Sequence, residues 1–292
     1  MNIQDLIARV GESRAFRPKA RTIAPAALGD AVRFPYGAFA FKTRLPKGTT
    51  YFIEASTDLR NWSFISQDIS TGEAVEYVDS EAFKFGHRFY RLFAGDVPSV
   101  NVIGYAAVTL PPGFSMIANP FDGPNNCVAE MFKGWPDGTT LNKFDTRFFR
   151  LAENEIKLEK WTNSTEQLLP GEGAIFFNPT SDYKSHSFVG DVLQGNLSVP
   201  IPGGFSIRSS LLPQPGSLDD LHFPVANGDV IHLFDRDRQK YVLYPYEGDK
   251  WTAGTPVVSV GESFWVAKTE PGNWDQTLEH RRVIPPLASQ SQ

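Results

Sequence analysis

The sequence predicts an all-β, modular chain: a short N-terminal helix with an extended arm, one small sandwich, and two tandem homologous β units. Three observations carry that expectation. Between residues 36 and 95, runs rich in Phe, Tyr, Val and Ile alternate with turn formers about every 12 residues. From residue 110 onward the chain repeats itself at a constant spacing. Helical periodicity is scarce beyond the first dozen residues. The divisions expected are an arm over 1–35, a sandwich over 36–98, repeats over 99–193 and 194–279, and a polar tail, HRRVIPPLASQSQ, over 280–292.

In the arm, Ile3, Leu6, Ile7 and Val10 fall at i, i+3, i+4 and i+7, the stripe of a short amphipathic helix that Gly11 would stop. The following RAFRPKARTIAPAALGDAVRFP is rich in Arg, Ala and Pro and cannot form a core of its own. With Arg17, Lys19, Arg21 and Arg33 among its cations the arm carries +3, which leaves −8 on residues 36–292. A basic, partly apolar arm on an acidic body is expected to lie on that body or reach a neighbouring subunit. Ile23, Ala24, Val32, Arg33 and Phe34 are the expected docking residues.

Five strands are expected in the sandwich: AFAFKTR (38–44), TYFIEAS (50–56), WSFISQ (62–67), AVEYVD (74–79) and RFYRLF (88–93). Lys47 and Gly48, Asp58, Asn61, Thr71 and Gly72, and Gly86 supply the turns between them. The string YFIEASTDLRNW (51–62), closed by HRFYRL (87–92), resembles fibronectin type III and immunoglobulin-like modules of bacterial surface proteins over about 60 residues. The resemblance implies a β-sandwich and is nearly silent on function.

The duplication rests on three blocks. LPPGFSMIANP (110–120) matches IPGGFSIRSSL (201–211), placing Gly113 on Gly204 at an offset of 91. PDGTTLNKFD (136–145) matches ANGDVIHLFD (226–235), with Gly138 on Gly228 and Phe144 on Phe234 at an offset of 90. KWTNSTEQLLPGEGAIFF (160–177) matches KWTAGTPVVSVGESFWVA (250–267), with Trp161 on Trp251 and Glu172 on Glu262. A period of 90 exceeds the 20–50 residues of solenoid units, so each copy is a small domain or half of a pseudo-symmetric one. Asp137 with Gly138, and Asn227 with Gly228, favour tight turns. AEMFKGW (129–135) suits one helical turn. The repeats resemble β-rich paired repeats of large secreted or surface bacterial proteins.

Composition excludes several classes. One Cys gives neither a disulfide framework nor a thiolate zinc cluster. A net charge of −5 speaks against nucleic acid as a partner. No run of about 18 apolar residues is present, so membrane insertion is not expected. The first 14 residues hold no apolar h-region, which leaves two histories: the protein works where it is made, or a signal was removed.

No catalytic residues are expected. Ser115 and Ser206 follow Gly-Phe but lack the Gly two residues on that a nucleophile elbow needs. Glu172 and Glu262 sit at equivalent repeat positions, whereas acid and base roles need different surroundings. His87, His186, His222, His232 and His280 show no metal-ligand spacing, so no metal is expected. No cofactor is expected either. DGPNN (122–126) and DRDR (235–238) supply oxygens for calcium but neither follows an EF-hand loop. The aromatics are the best hook for a ligand, and Trp135 and Trp274, which lack a partner in the other copy, are the sugar-binding candidates.

The leading expectation is therefore a non-enzymatic structural or adhesive protein of an extracellular or surface assembly. It would self-associate, or join a larger structure, through its arm and its β edges. Carbohydrate binding, with a polysaccharide partner, is the alternative. A virion component assembled in the cytoplasm is a further one.

Overall fold

A computed structural model describes residues 24–123 and 125–279. The helical stripe of Ile3, Leu6, Ile7 and Val10, the arm residues Arg17, Lys19, Arg21 and Ile23, and the tail 280–292 lie outside the described residues. The rest is all-β, with multiple antiparallel sheets.

The sandwich is built from β1 (Gly29–Arg33), β2 (Phe39–Arg44), β3 (Thr50–Ser56), β4 (Ser63–Ile69), β5 (Ala74–Asp79), β6 (His87–Ala94) and β7 (Val97–Pro98). The first repeat adds β8 (Val102–Leu110), β9 (Gly113–Ile117), α1 (Val128–Met131), β10 (Thr140–Asp145), β11 (Arg150–Lys157), β12 (Lys160–Trp161), β13 (Ala174–Asn178) and β14 (Lys184–Val192). The second comprises β15 (Gly195–Ile201), β16 (Gly204–Arg208), β17 (Gly216–Ser217), β18 (Val230–Asp235), β19 (Lys240–Glu247), β20 (Lys250–Trp251), β21 (Val257–Val258), β22 (Phe264–Lys268) and β23 (Gly272–Leu278).

One sheet joins the sandwich to the first repeat. It runs β14-β8-β6-β3-β4, so the first and last strands of the repeat extend the sheet begun by the sandwich. Its two faces feed two cores. Tyr51, Ile53, Tyr90, Leu92 and Tyr105 pack toward the three-stranded sheet β1-β2-β5 with Phe39 and Phe41. Phe89, Ala106, Val108, Leu110 and Phe188 pack with Leu141, Phe176 and Phe132 of the first repeat. A strand covered on both faces reads as an unbroken buried run, as β6 does from Phe89 through Ala94. The one arginine within that run, Arg91, is accommodated by an ion pair to Glu54 at 2.6 Å and by lying 4.2 Å over the Trp62 ring.

The STDLRNW stretch that underlies the immunoglobulin-like resemblance has a local physical role. Asp58 accepts bonds from the backbone N–H of Arg60 and Asn61 at 2.8 and 2.7 Å and from the Asn61 amide at 2.7 Å. Burial pushes its carboxyl up, but these bonds outweigh it and hold the group at about 2. Leu59 takes φ 61° at the tip, and Trp62 Nε1 returns to the Leu59 carbonyl.

The described part of the arm lies on its own body, one of the two places expected for it. Residues 29–33 form β1, paired with β2 of the same sandwich. Ala26 and Leu28 are buried, and Val100 N–H donates to the Ala26 carbonyl at 2.7 Å. Arg33 stacks 4.5 Å over Tyr105 and donates to Ser187 Oγ, and Phe34 stacks on Tyr36. Val32 is exposed on this strand, and Ala24 precedes it. The physical reason is that alternate apolar residues of a Pro- and Ala-rich segment complete the open edge of a three-stranded sheet.

Each repeat places a five-stranded sheet against a ribbon made from its own first and last strands. The sheet orders correspond: β12-β11-β10-β13-β9 in the first and β20-β19-β18-β22-β16 in the second. The ribbons are β8 with β14 and β15 with β23. Gly138 and Gly228 adopt φ of 84° and 91°, which is why the Asp-Gly and Asn-Gly pairs sit at equivalent turns.

Candidate functional site

Hydrogen bonds across the seam between the repeats come in equivalent pairs. Ala118 N–H donates to the Gly261 carbonyl at 2.9 Å, and Ser209 N–H donates to the Gly171 carbonyl at 3.1 Å. Residues 118 and 209 are repeat equivalents, as are 171 and 261. The bridges of Ile117 with Glu262 and of Arg208 with Glu172 exchange in the same way. A contact whose partners swap under duplication is a pseudo-two-fold, isologous one. The halves therefore meet as the subunits of a symmetric dimer would, within one chain.

Closest to that axis, Gly173 faces its own equivalent, Ser263. A Cβ built on Gly173 would lie 2.4 Å from Ser263 Cβ and 2.4 Å from Ile207 Cγ2. One of the two positions has to lack a side chain. Gly173→Ala is expected to destabilise the protein by about 1–3 kcal/mol. Ser263→Gly, which removes a buried hydroxyl without a partner, should cost clearly less. Urea denaturation of both variants checks the asymmetry.

Beside this seam the outer faces of the two sheets form a pocket of about 330 Å³, open to solvent and lined by Phe144, Phe149, Phe205, His232, Tyr241 and Trp265. Phe144 and Phe149 come from the β10–β11 hairpin of the first repeat, the others from β16, β18, β19 and β22 of the second. Neighbouring rings stand edge to face. Phe144 meets Trp265 at 4.8 Å and 70°, and Phe149 meets Phe205 at 6.2 Å and 75°. His232 and Tyr241 meet at 76°. Trp265 Nε1 donates to the Tyr241 hydroxyl oxygen at 3.1 Å, which uses the one donor of the indole. Burial lowers the His232 pKa, keeping the ring neutral, and raises that of Tyr241. The result is an uncharged aromatic box suited to an apolar face or group.

The pocket has no counterpart in the other half. The positions equivalent to its six residues are Phe234, Gln239, Phe114, Asn142, Leu151 and Ile175. Aromatic side chains number six on one side, counting His232, and two on the other. The outer face around the pocket is also apolar, with Phe148, Leu151 and Leu243 exposed and Phe149 67% exposed. Arg147 and Arg150 lie 5.2 and 5.3 Å over the Phe148 ring at its rim.

The structure does not bring the two tryptophans chosen from sequence together, nor to this pocket. Trp274 is 0% exposed and donates from Nε1 to the Leu221 carbonyl at 2.8 Å in the core of the second repeat. It is not a surface platform, because β23 alternates and turns Trp274, Gln276 and Leu278 inward. Trp135 is half-buried against Phe132, Phe176 and His186, with Lys184 5.5 Å over its ring. Ser115 and Ser206 are both buried. Glu172 and Glu262 each close their turn, accepting from Leu169 N–H and Ser259 N–H at 2.9 Å. Asp122 accepts from the Asn126 amide and Asp235 from the N–H groups of Asp237 and Arg238. Among the described residues no group of three or more His, Cys, Asp or Glu side chains is placed to hold a metal ion. No described helix is long and apolar enough to cross a membrane.

No family model matches this chain, and no curated protein matches it.

Sequence reasoning missed the pocket, although the signal for it lay inside the duplication. Reading only the positions that match between copies draws attention to turns and core. Those that diverge, Ile175 against Trp265, Leu151 against Tyr241 and Asn142 against His232, mark the pocket.

Proposed function

We propose that this chain is a non-catalytic adhesive protein of an extracellular or surface structure, which holds its ligand at the junction of its two repeats. The observation that carries the reading is the one-sided aromatic pocket. A duplicated fold needs no such asymmetry for stability, and a contiguous exposed apolar surface marks an interaction site. The resemblance of residues 51–62 and 87–92 to fibronectin type III and immunoglobulin-like modules suits a rigid spacer that carries such a site outward.

The test is a glycan and protein-ligand binding screen with the immobilised chain, repeated with Trp265→Ala. Binding is expected to fall at least tenfold in the variant, with its circular dichroism unchanged. A ligand that binds both proteins equally would place the site elsewhere.

A second reading, self-assembly through a sheet edge, is favoured by β4. It is the outer strand of the shared sheet and leaves Phe64 and Ile69 61% and 59% exposed. Light scattering of the whole chain should then show oligomers that Phe64→Lys with Ile69→Lys reduces to monomer. A monomer at every concentration in the unaltered chain would end this reading. A chain beginning at Ala24 keeps β1 and separates the contribution of the preceding residues.

A further inference from the structure

The two halves of the junction differ in one more respect, and it indicates the chemistry of the ligand. Strands β9 and β16 are equivalent, and each lies at the edge of its five-stranded sheet. In the first repeat the carboxamide of Gln239 covers that edge. It accepts from Phe114 N–H at 2.8 Å and donates to the carbonyls of Phe114 and Arg236 at 2.8 and 2.6 Å. Its oxygen lies 2.7 Å from where a Cβ on Gly113 would stand. One backbone donor and two backbone acceptors thus form a cradle matched to a primary amide, which has one acceptor oxygen and two N–H donors.

The second repeat repeats the cradle without the amide. The hairpin tips 146–149 and 236–239 are equivalent in conformation. Asp145 accepts from the N–H groups of Arg147 and Phe148 as Asp235 does from those of Asp237 and Arg238. Phe149 and Gln239 take φ of 50° and 53°. Thr146 therefore supplies the carbonyl that corresponds to that of Arg236. On the sheet, Phe205 pairs with Ala267 as Phe114 pairs with Phe177. Antiparallel strands alternate between residues that bond inward and residues whose N–H and C=O point away from the partner. Phe205 therefore directs both groups off the edge, as Phe114 does. The residue in the place of Gln239 is Phe149, which has no amide to offer and turns its ring to Phe144 at 5.3 Å. Gly204 takes the same turn as Gly113, with φ of 82° against 91°, yet a Cβ built on it would meet nothing within 4 Å.

The opening is one residue long. Farther along the edge, the Ile207 carbonyl accepts from the Arg208 guanidinium at 2.8 Å, and Ser209 N–H is taken by Gly171. That room suits a single amide and not an added strand, which would need successive outward residues. From the adhesive reading above, on which this step rests, we infer that the junction binds a protein segment that presents a glutamine side chain. The glutamine oxygen accepts from Phe205 N–H, and its two N–H groups donate to the carbonyls of Phe205 and Thr146. A large apolar neighbour of that glutamine lies against Trp265, Phe205 and Phe149, in a box whose 330 Å³ is at the small end for ligand pockets. A carboxylate in the same place would set a charged oxygen against two carbonyls. A secondary amide, whose single N–H is trans to its oxygen, cannot bond both groups of Phe205. The twin cradle is itself filled by a glutamine of a polypeptide hairpin, which is the occupant assigned to this one.

The experiment selects decapeptides from a random display library on the immobilised full chain and titrates the strongest of them calorimetrically. Glutamine is expected at one fixed position, beside a large apolar residue. Replacing it by glutamate, or by glutamine methylated on its amide nitrogen, should weaken binding at least tenfold. Phe149→Gln copies the plug of the first repeat into the second. It should abolish binding and keep the melting temperature, because Gln239 already holds that backbone conformation in the twin hairpin. Trp265→Ala should weaken binding at least tenfold. Selected peptides that lack glutamine, or that bind equally with glutamate, yet depend on Trp265 would keep the pocket and overturn the carboxamide. Phenylacetamide binding as tightly as the peptide would overturn the protein partner in favour of a small amide. Selection of no peptide, or binding indifferent to both Phe149→Gln and Trp265→Ala, would overturn the inference.

Discussion

Asp229→Ala is expected to destabilise the protein by about 3–5 kcal/mol, the cost of leaving a buried cation without its partner. Asp229 is 0% exposed and forms an ion pair with Lys268, itself buried. It also accepts from Thr269 N–H at 2.7 Å, Thr269 Oγ1 at 2.9 Å and Ala226 N–H at 2.8 Å. Burial pushes the carboxyl up, but the bonds from Lys268, Thr269 and Ala226 outweigh it, and the group sits below its ordinary value. Its contribution is thus complete above the unfolded carboxylate range and is lost as pH falls through the lowered folded value. The first repeat shows how the pair can be dispensed with. Thr139 and Asn178 hold the equivalent positions, and the Asn178 amide donates to the carbonyls of Leu110 and Asp182. Asp229→Thr combined with Lys268→Asn removes both charges and should recover more than half of the loss. Urea denaturation of the single and double variants at pH 7 checks both numbers.

His186 should make the protein acid-sensitive at milder pH. Its ring is buried, stacked on Phe132 at 4.3 Å and edge-on to Phe188 at 4.7 Å, and its Nε2 has no hydrogen-bond partner. Desolvation lowers its pKa to about 4. The unfolded chain then takes up a proton that the folded one refuses. Stability is full above the ordinary value near 6.5 and declines as pH falls toward 4, by about 3 kcal/mol in all. His186→Phe keeps an aromatic ring in place and should flatten the stability profile between pH 6.5 and 4. Melting temperatures of both proteins across that range provide the check; parallel slopes would mean that His186 is not the group responsible. The register of the ribbons places Trp274 at the same position of the second repeat, since Val108 faces His186 as Val199 faces Trp274. Each residue is the inward aromatic of its closing strand. That shared role explains why neither belongs to the surface.

Much of the fold was legible in the residues. The five runs expected in the sandwich fall on β2 to β6, because alternating aromatic and β-branched residues bounded by Gly, Asn and Asp leave few other conformations. The duplication is legible as well, since the matched blocks fall on β9, β10 and β13 in the first copy and on β16, β18 and β22 in the second. Strand β1 was hidden because GDAVRF is short, lies in a Pro- and Ala-rich stretch, and is stabilised by an edge supplied by distant β2. The sharing of one sheet by the sandwich and the first repeat was equally hidden. Pairing of β6 with β8 and of β8 with β14 is a tertiary choice that no local pattern encodes. The pocket was illegible for a related reason. Phe144 and Phe149 meet Phe205 and Trp265 only because an axis between Gly173 and Ser263 folds one copy against the other.

The most direct test of the account follows the backbone amides of Phe114 and Phe205 and the indole of Trp265 by NMR. The protein is titrated with a ligand from the binding screen whose affinity Trp265→Ala weakens. The account predicts that the Phe205 amide and the Trp265 indole shift together and saturate at one ligand per chain, while the Phe114 amide, bonded to Gln239, stays in place. Resonances that do not move at Phe205 and Trp265, or that move equally at Phe114 and Phe205, would contradict a one-sided site at the repeat junction.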